Sequence, residues 1–462
     1  MYQNDYFKYL NVGLPENIQR YKLAGYFDKA IELIDRKLGD EVVPEALRNC
    51  LVLQRELIVR LPADFRYTME TGLARVQEDI PDFTMEELQE LMDSDRIDWI
   101  YVNGEVHLVN SFVGTLKKTY PPFANRCKNS AVSGIEGNAA AKLERRAEMR
   151  SMIKNKGSQT AHIRIRASVR IKDEAFEPGK LVRVHVPIPL ACEQQSNIVI
   201  HDTYGTPTHI AAEDAEQRTI FWEEVMQENH EFWVEYSYDY TATYCDPFQI
   251  IPDAVQPTFD TEEIQPQIVF TPFIRALAEE LTQGLTSPIE KAKAFYDFTT
   301  KRVRYSFMRA YFGLENIPEN CARNTRGDCG VQTLLFITLC RCAGIPCQWQ
   351  TGLFSEPGDV GAHDWARFYV APYGWMLADL SFGGSAFCDG DEERHAFYFG
   401  NLDCYRTIAN RQFQAEFDPP KMHWRADPYD NQVGEMETSD RGFSFSEYER
   451  SKEIISFEEL SP

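Results

Sequence analysis

The chain has 462 residues, with 48 Lys and Arg against 71 Asp and Glu, a formal charge of −23, and 43% hydrophobic, 13% aromatic and 26% charged residues. This is an ordinary globular mixture with apolar material for several cores, and it excludes global disorder, collagen and coiled coil. A polyanionic surface repels nucleic acid and anionic lipid, so neither is an expected partner. The 11 cysteines are an odd number spread along the chain, which does not read as a disulfide framework and points to a reducing compartment. The first residues show no basic stretch followed by an apolar one, and no run approaches the roughly 18 apolar residues of a spanning helix. The expectation is a cytoplasmic protein with no membrane partner.

Residues 1–120 predict a helical N-terminal region with a small hairpin. Phe27, Ala30, Ile31 and Ile34 share one helical face. Residues 44–61 repeat the pattern, and Thr84-Met-Glu-Glu87 is a capping-box signal. Asn103-Gly104 between Trp99, Tyr101, Val106 and Leu108 signals a tight hairpin. Residues 121–159 read as a basic linker and helix. The stretch 117–172 holds fourteen Lys and Arg against Glu136, Glu144 and Glu148, an excess of eleven positive charges that leaves −34 for the rest. It reads as a connector helix lying against the acidic remainder, with a docking surface for an acidic partner or RNA as the competing reading. Residues 160–250 alternate with period two and predict a β-sandwich. Residues 260–430 hold the chemistry. Residues 431–462 read as an acidic C-terminal tail.

The chemistry begins at Arg326-Gly-Asp-Cys-Gly330, followed by apolar residues to Cys342 and a stop at Gly344 and Pro346. Cys329 therefore opens a buried helix, where free N–H groups and the helix dipole favour a thiolate and can hold an oxyanion, with Gly330 beside it. Cys340, Cys342 and Cys347 lie late in or after that helix and read as packing residues, with no metal site expected. Next come three predicted strands: one from Cys347, one from His363 to Val370, and one from Trp375 to Leu380. The last two, joined through 371–374, could set His363 opposite Asp379 and leave the other ring nitrogen for Cys329.

The Arg-Gly-Asp-Cys-Gly segment with its buried helix, then His363-Asp-Trp365, then Gly374-Trp-Met-Leu-Ala-Asp-Leu380, together resemble the transglutaminase-like superfamily. Residues 287–385 carry the likeness, and 160–245 resemble more loosely the β-domain that precedes this core in bacterial members. The resemblance implies a Cys329–His363–Asp379 triad, with Trp365 and Trp375 matching aromatics that pack around it. Tyr305 is the candidate oxyanion side chain. Where the family commonly carries Arg after Gly-Ile-Pro, this chain has Cys347-Gln348. No calcium-loop spacing is present, and no cofactor is expected.

The expected fold is thus a multidomain α+β protein: helical N-terminal region, β-sandwich, and a papain-like transglutaminase core whose Cys-bearing helix packs on an antiparallel sheet. The expected activity is thiol acyl transfer on peptide or side-chain amides. Hydrolysis by a cysteine peptidase or amidase ranks ahead of glutamine transamidation and of a noncatalytic scaffold. The partner is a peptide or protein substrate.

Overall fold

The computed structural model of the chain describes residues 4–128 and 133–460 and shows mixed helix and sheet, with several sheets. Near the N-terminus the helices Glu16–Leu23, Phe27–Leu38, Glu45–Arg60, Met69–Gln77 and Met85–Asp93 bury a common cluster with Ala30, Ile34, Leu51, Ile58, Val76, Leu88 and Leu108. At Thr84 the capping box is complete: its side chain accepts from Glu87 N, and Glu87 accepts from Thr84 N. The strands Trp99–Val102 and Glu105–Leu108 turn through Asn103 and Gly104 at φ 52° and 81°, the paired left-handed residues of a tight hairpin turn. The Glu45–Arg60 helix has a second buried face, where Leu53 and Leu57 join the cluster that runs through the rest of the molecule.

The helix Ser133–Lys156 lies against acidic parts of the core. Arg146 and Arg145 reach Glu356 at 2.6 and 3.4 Å, Lys154 reaches Glu393 at 2.7 Å, and Lys142 pairs with Asp359. Its Met149 and Ile153 enter the main cluster.

Two four-stranded antiparallel sheets follow. One runs Tyr448–Leu460, Ser158–Ile171, Glu231–Thr243, Gln195–Thr203. The other runs Glu435–Thr438, Lys180–Pro187, Thr219–Met226, His209–Ile210. Ile163, Ile165, Val182, Val184, Val234 and Tyr236 from both sheets lie in one cluster. The acidic C-terminal tail expected over 431–462 is corrected here, because Glu435–Thr438 and Tyr448–Leu460 are strands of these sheets. Tyr448 pairs with Ile171 and Leu460 with Thr160. The physical reason is long-range strand pairing that a local reading of charge does not reveal: Glu449 and Glu453 take register positions opposite Arg170 and Arg166 of a neighbouring strand, and Tyr448 is buried.

The third sheet has five strands in the order Phe399–Gly400, Gly374–Ala378, Asp359–Val370, Cys347–Glu356, Arg406–Asn410, antiparallel throughout. The helix Cys329–Cys342 packs on it, with Phe336 edge-on to Phe368 at 6.0 Å. Among the described residues no helix is long and apolar enough to cross a membrane.

Candidate active site

The N-terminus of the Cys329–Cys342 helix is built by its own preceding residue. Asp328 is the N-cap; its Oδ1 accepts from Val331 N at 3.1 Å and from the Tyr311 hydroxyl at 2.5 Å. Burial pushes the Asp328 carboxyl up to about 6 against these bonds. Gly330 lies close under two side chains: a Cβ there would meet the Tyr311 hydroxyl and, at 2.8 Å, Asp364 Oδ2. A side chain at this position would have to displace Tyr311 or Asp364.

The segment 304–313, which delivers Tyr311, is held by the N-terminal region. Arg309 forks onto Asp98 at 2.9 and 2.8 Å, and Arg326 reaches Asp98 at 3.0 Å and Asp95 at 2.7 Å. Thr115 Oγ1 accepts from Phe307 N at 3.1 Å, and Asp64 from Ala310 N at 2.9 Å. Tyr305 forms a parallel bridge with Gly327, two residues before Cys329. The ammonium of Lys118 lies over the Tyr305 ring at 4.1 Å.

Cys329 is partly exposed, and its thiol donates to Asp364 Oδ2 at 3.2 Å. Burial and the carboxyls of Asp364 and Asp328 hold this thiol well above its ordinary value, while the Asp364 backbone N–H acts the other way. The dipole argument from sequence is therefore outweighed: two carboxyls and burial oppose the charge that the helix end favours. The shift therefore runs opposite to the one the helix end alone favours.

His363 sits on the next strand position. Its Nε2 bonds Asp379 Oδ2 at 2.7 Å. Burial lowers the His363 pKa while Asp379 raises it, and burial prevails. The partnered Asp379 carboxyl is held low by His363 and Arg406. The strand pairing ends with Ala366 opposite Ala378, and Asp379 follows directly, within hydrogen-bond reach of His363. Asp379 lies just past its strand: it is the N-cap of the helix Leu380–Cys388 and accepts from Phe382 N at 3.0 Å. Arg406, wholly buried, donates to Asp379 Oδ2 at 2.9 Å and stacks on Phe382 at 4.6 Å. Phe382 also lies against the His363 ring at 4.6 Å.

The three expected triad members thus divide. His363 and Asp379 are brought together. Cys329 is bonded to the residue after His363, and among the described residues no hydrogen bond joins its thiol to the imidazole. Successive side chains leave a strand on alternate faces, which separates the directions of His363 and Asp364. Of the two tryptophans, Trp365 is buried beside His363, with ring centroids 5.8 Å apart and its Nε1 donating to Gln350 at 2.6 Å. Trp375 is not at the site. It pairs with Tyr369 and lies under Arg367 at 4.5 Å, near the hairpin turn, because it falls six strand positions from His363. Asp364, Tyr311 and Arg406 were missed from sequence. The acid inside His-Asp-Trp was the one visible signal, whereas Arg406 arrives by a long-range strand pairing. Among the described residues no cluster of His, Cys, Asp and Glu is arranged to hold a metal ion.

Residues 275–380 match the family described as the transglutaminase-like superfamily. No curated protein matches the chain. Among solved structures, a candidate cysteine protease from Cytophaga hutchinsonii is similar at 13% identity and a TM-score of 0.41, covering 66% of this chain and 92% of that one. The periplasmic domain of TgpA from Pseudomonas aeruginosa is similar at 14% identity and a TM-score of 0.28, covering 50% and 91%. A candidate protease from Parabacteroides distasonis follows at 10% identity and a TM-score of 0.23, covering 49% and 60%.

Proposed function

We propose that the transglutaminase-like domain at 275–380 makes this chain a thiol acyl-transfer enzyme on peptide or side-chain amides, with hydrolysis as its reaction. Cys329 is the nucleophile, His363 the acid and base, and Asp379 the carboxylate that orients the imidazole. The observation that carries this reading is the buried His363–Asp379 bond of 2.7 Å, one residue from the carboxyl that holds the Cys329 thiol.

In the proposed reaction Nε2–H stays on Asp379 and Nδ1 takes the thiol proton. The thiolate adds to the amide carbonyl, whose oxyanion faces the N–H groups at the start of the helix beside Gly330 and the Tyr305 side chain. His363 returns its proton to the leaving amine or ammonia, and water resolves the thioester. Water needs no acceptor site, which favours hydrolysis over amine transfer. The eleven free thiols suit a reducing compartment, so cytoplasmic action belongs to the same proposal.

Profiling peptide and glutamine-amide substrates with wild type, Cys329→Ala and His363→Ala tests it. Both variants are expected to lose turnover, His363→Ala by roughly 10²–10⁴-fold. Turnover retained in Cys329→Ala would reject the nucleophile. An added primary amine incorporated in preference to water would reject hydrolysis.

A further inference from the structure

The helix Phe112–Thr119 sets one stripe of residues against the segment that leads to Cys329. Ser111 Oγ donates to Phe307 O at 3.2 Å, and Phe307 N donates to Thr115 Oγ1 at 3.1 Å. A Cβ at Gly114 would stand 3.7 Å from the Phe307 ring. Positions 111, 114, 115 and 118 recur at helical spacing, so Lys118 is carried to the same side. Its ammonium lies 4.1 Å from the centre of the Tyr305 ring and 5.1 Å from that of Phe307. Tyr305 pairs with Gly327, two residues before Cys329. The two rings thus hold a cation beside the start of the cysteine helix.

This cation lacks an anion. Its neighbour Lys117 pairs with Asp79 at 2.8 Å. On the Ser133–Lys156 helix, Lys142 pairs with Asp359, and Arg145 and Arg146 with Glu356. The acids around Cys329 are engaged as well. Asp328 caps its helix, Asp364 takes bonds from Thr351 and Gln432, and Asp379 takes His363 and Arg406. Among the described residues no carboxylate comes within salt-bridge range of Lys118. Lys118 is exposed, yet packing on the rings strips part of its hydration. Burial lowers its pKa, while Cys329, Asp359 and Asp328, in that order, raise it. Cys329 is thus the group whose charge acts on the ammonium most strongly, which puts Lys118 at the mouth of the candidate site. An ammonium that has lost water without finding an acid gains more from a ligand carboxylate than a fully hydrated surface lysine does.

We propose that Lys118 is a specificity residue that binds a substrate carboxylate, so that the site takes acidic peptides. The carboxylate belongs to a Glu or Asp side chain, or to a free C-terminus, close to the amide that Cys329 attacks. This rests on the proposed role of Cys329 as nucleophile and gives that reaction a substrate class. In a chain of charge −23 the long-range field does not draw acidic peptides in, so Lys118 acts locally, by selecting where the carboxylate sits.

The test uses four fluorescein-labelled peptides, Ala-Xaa-Gln-Ala-Ala, with Xaa either Glu or Gln and the C-terminus either free or amidated. Binding is followed by fluorescence anisotropy with the full chain carrying Cys329→Ala, so that no peptide is consumed. A peptide with the matching carboxylate is expected to bind roughly tenfold more tightly than the doubly neutral one. The arm that shows the gain tells side chain from C-terminus. Adding Lys118→Met, which keeps the aliphatic stem on the rings, is expected to erase the gain. Equal affinity for the four peptides, binding of none, or a gain that survives Lys118→Met overturns the proposal. If Lys118→Met fails to fold, carbodiimide coupling of the best-binding peptide to the Cys329→Ala chain decides. A new amide found on Lys118 by mass spectrometry supports the proposal, and coupling only to other lysines overturns it. Turnover of the same peptides by the wild type is read separately. Binding that depends on Lys118 without turnover would defeat the proposed function and leave the carboxylate site standing; turnover with no dependence on Lys118 would do the reverse.

Discussion

Arg406 decides whether the His363–Asp379 pair can exist in a dry interior. Its guanidinium bonds Asp379 at 2.9 Å, approaches Asp403 at 3.5 Å, and lies over Phe382 and Trp365 at 4.6 and 5.6 Å. Arg406, Asp379 and Asp403 are all fully buried. Arg406→Leu leaves two buried carboxyls without their cation, a loss expected to cost about 3–5 kcal/mol. A fall of the urea midpoint at unchanged slope measures it. Arg406→Lys keeps the charge and loses the fork, so a smaller fall is expected; equal falls would assign the effect to packing. The residues of the pair were legible because His363 and Asp379 sit in a short local hairpin with family spacing. Their cation was not, since Arg406 reaches them through the Phe354↔Arg406 pairing, 52 residues apart in the chain. The Cys329–Asp364 contact was hidden for a related reason: a one-residue step along a strand changes the face, and sequence alone does not say which of two adjacent polar residues turns towards the helix.

Among the elements, the Ser133–Lys156 helix shows how magnitude sorts a charge run. Its Lys154–Glu393 pair, 36% and 62% exposed, is of the kind worth little and screened by salt. Arg146–Glu356 differs: the Glu356 side chain is only 1% exposed and has two arginines as partners. Glu356→Gln is expected to destabilise by about 1.5–3 kcal/mol, the range for hydrogen bonds to charged groups. Thermal melting measures the loss, and trypsin cleavage within 142–156 should accelerate. Glu393→Gln is the matched control, expected to change little. Equal effects of the two would show that docking is diffuse electrostatics and not the buried pair. The helix was legible from sequence as a basic segment against an acidic remainder, but not which of its many bases meets a buried acid, because that depends on where the strand Cys347–Glu356 ends.

For the whole molecule, the C-terminal strands return the chain to the sandwich after it has built the five-stranded sheet. Ser158–Ile171 is thereby flanked by Glu231–Thr243 on one side and Tyr448–Leu460 on the other. Composition concealed this, because Tyr448–Leu460 is rich in Glu and its apolar residues do not alternate regularly, and strand pairing across nearly three hundred residues leaves no local signature. What fixes the strand is long-range: Tyr448 is buried and donates its hydroxyl to Gly434 O at 2.9 Å, Phe457 lies 5.1 Å from Tyr405, and Gln159 Nε2 donates to Leu460 O at 2.8 Å. Tyr405 adjoins Arg406, and Gly434 follows the Gln432 that holds Asp364, so the strand braces both sides of the candidate site. Deleting residues 447–462 is expected to uncover the Ser158–Ile171 edge, which invites edge-to-edge association, and to loosen the Asp364 contact at once. Size-exclusion chromatography should show association, and Cys329 alkylation should speed up beyond that of the exposed Cys388. Phe457→Ala, which keeps the strand pairing, separates the two consequences. Phe457 is only partly buried, so its lost packing is expected to cost less than the roughly 3–5 kcal/mol of a core Phe→Ala change, without exposing the edge. A monomeric truncated chain with an unchanged Cys329 rate would show that the strand is only an added edge, and that the sandwich and the site do not support one another.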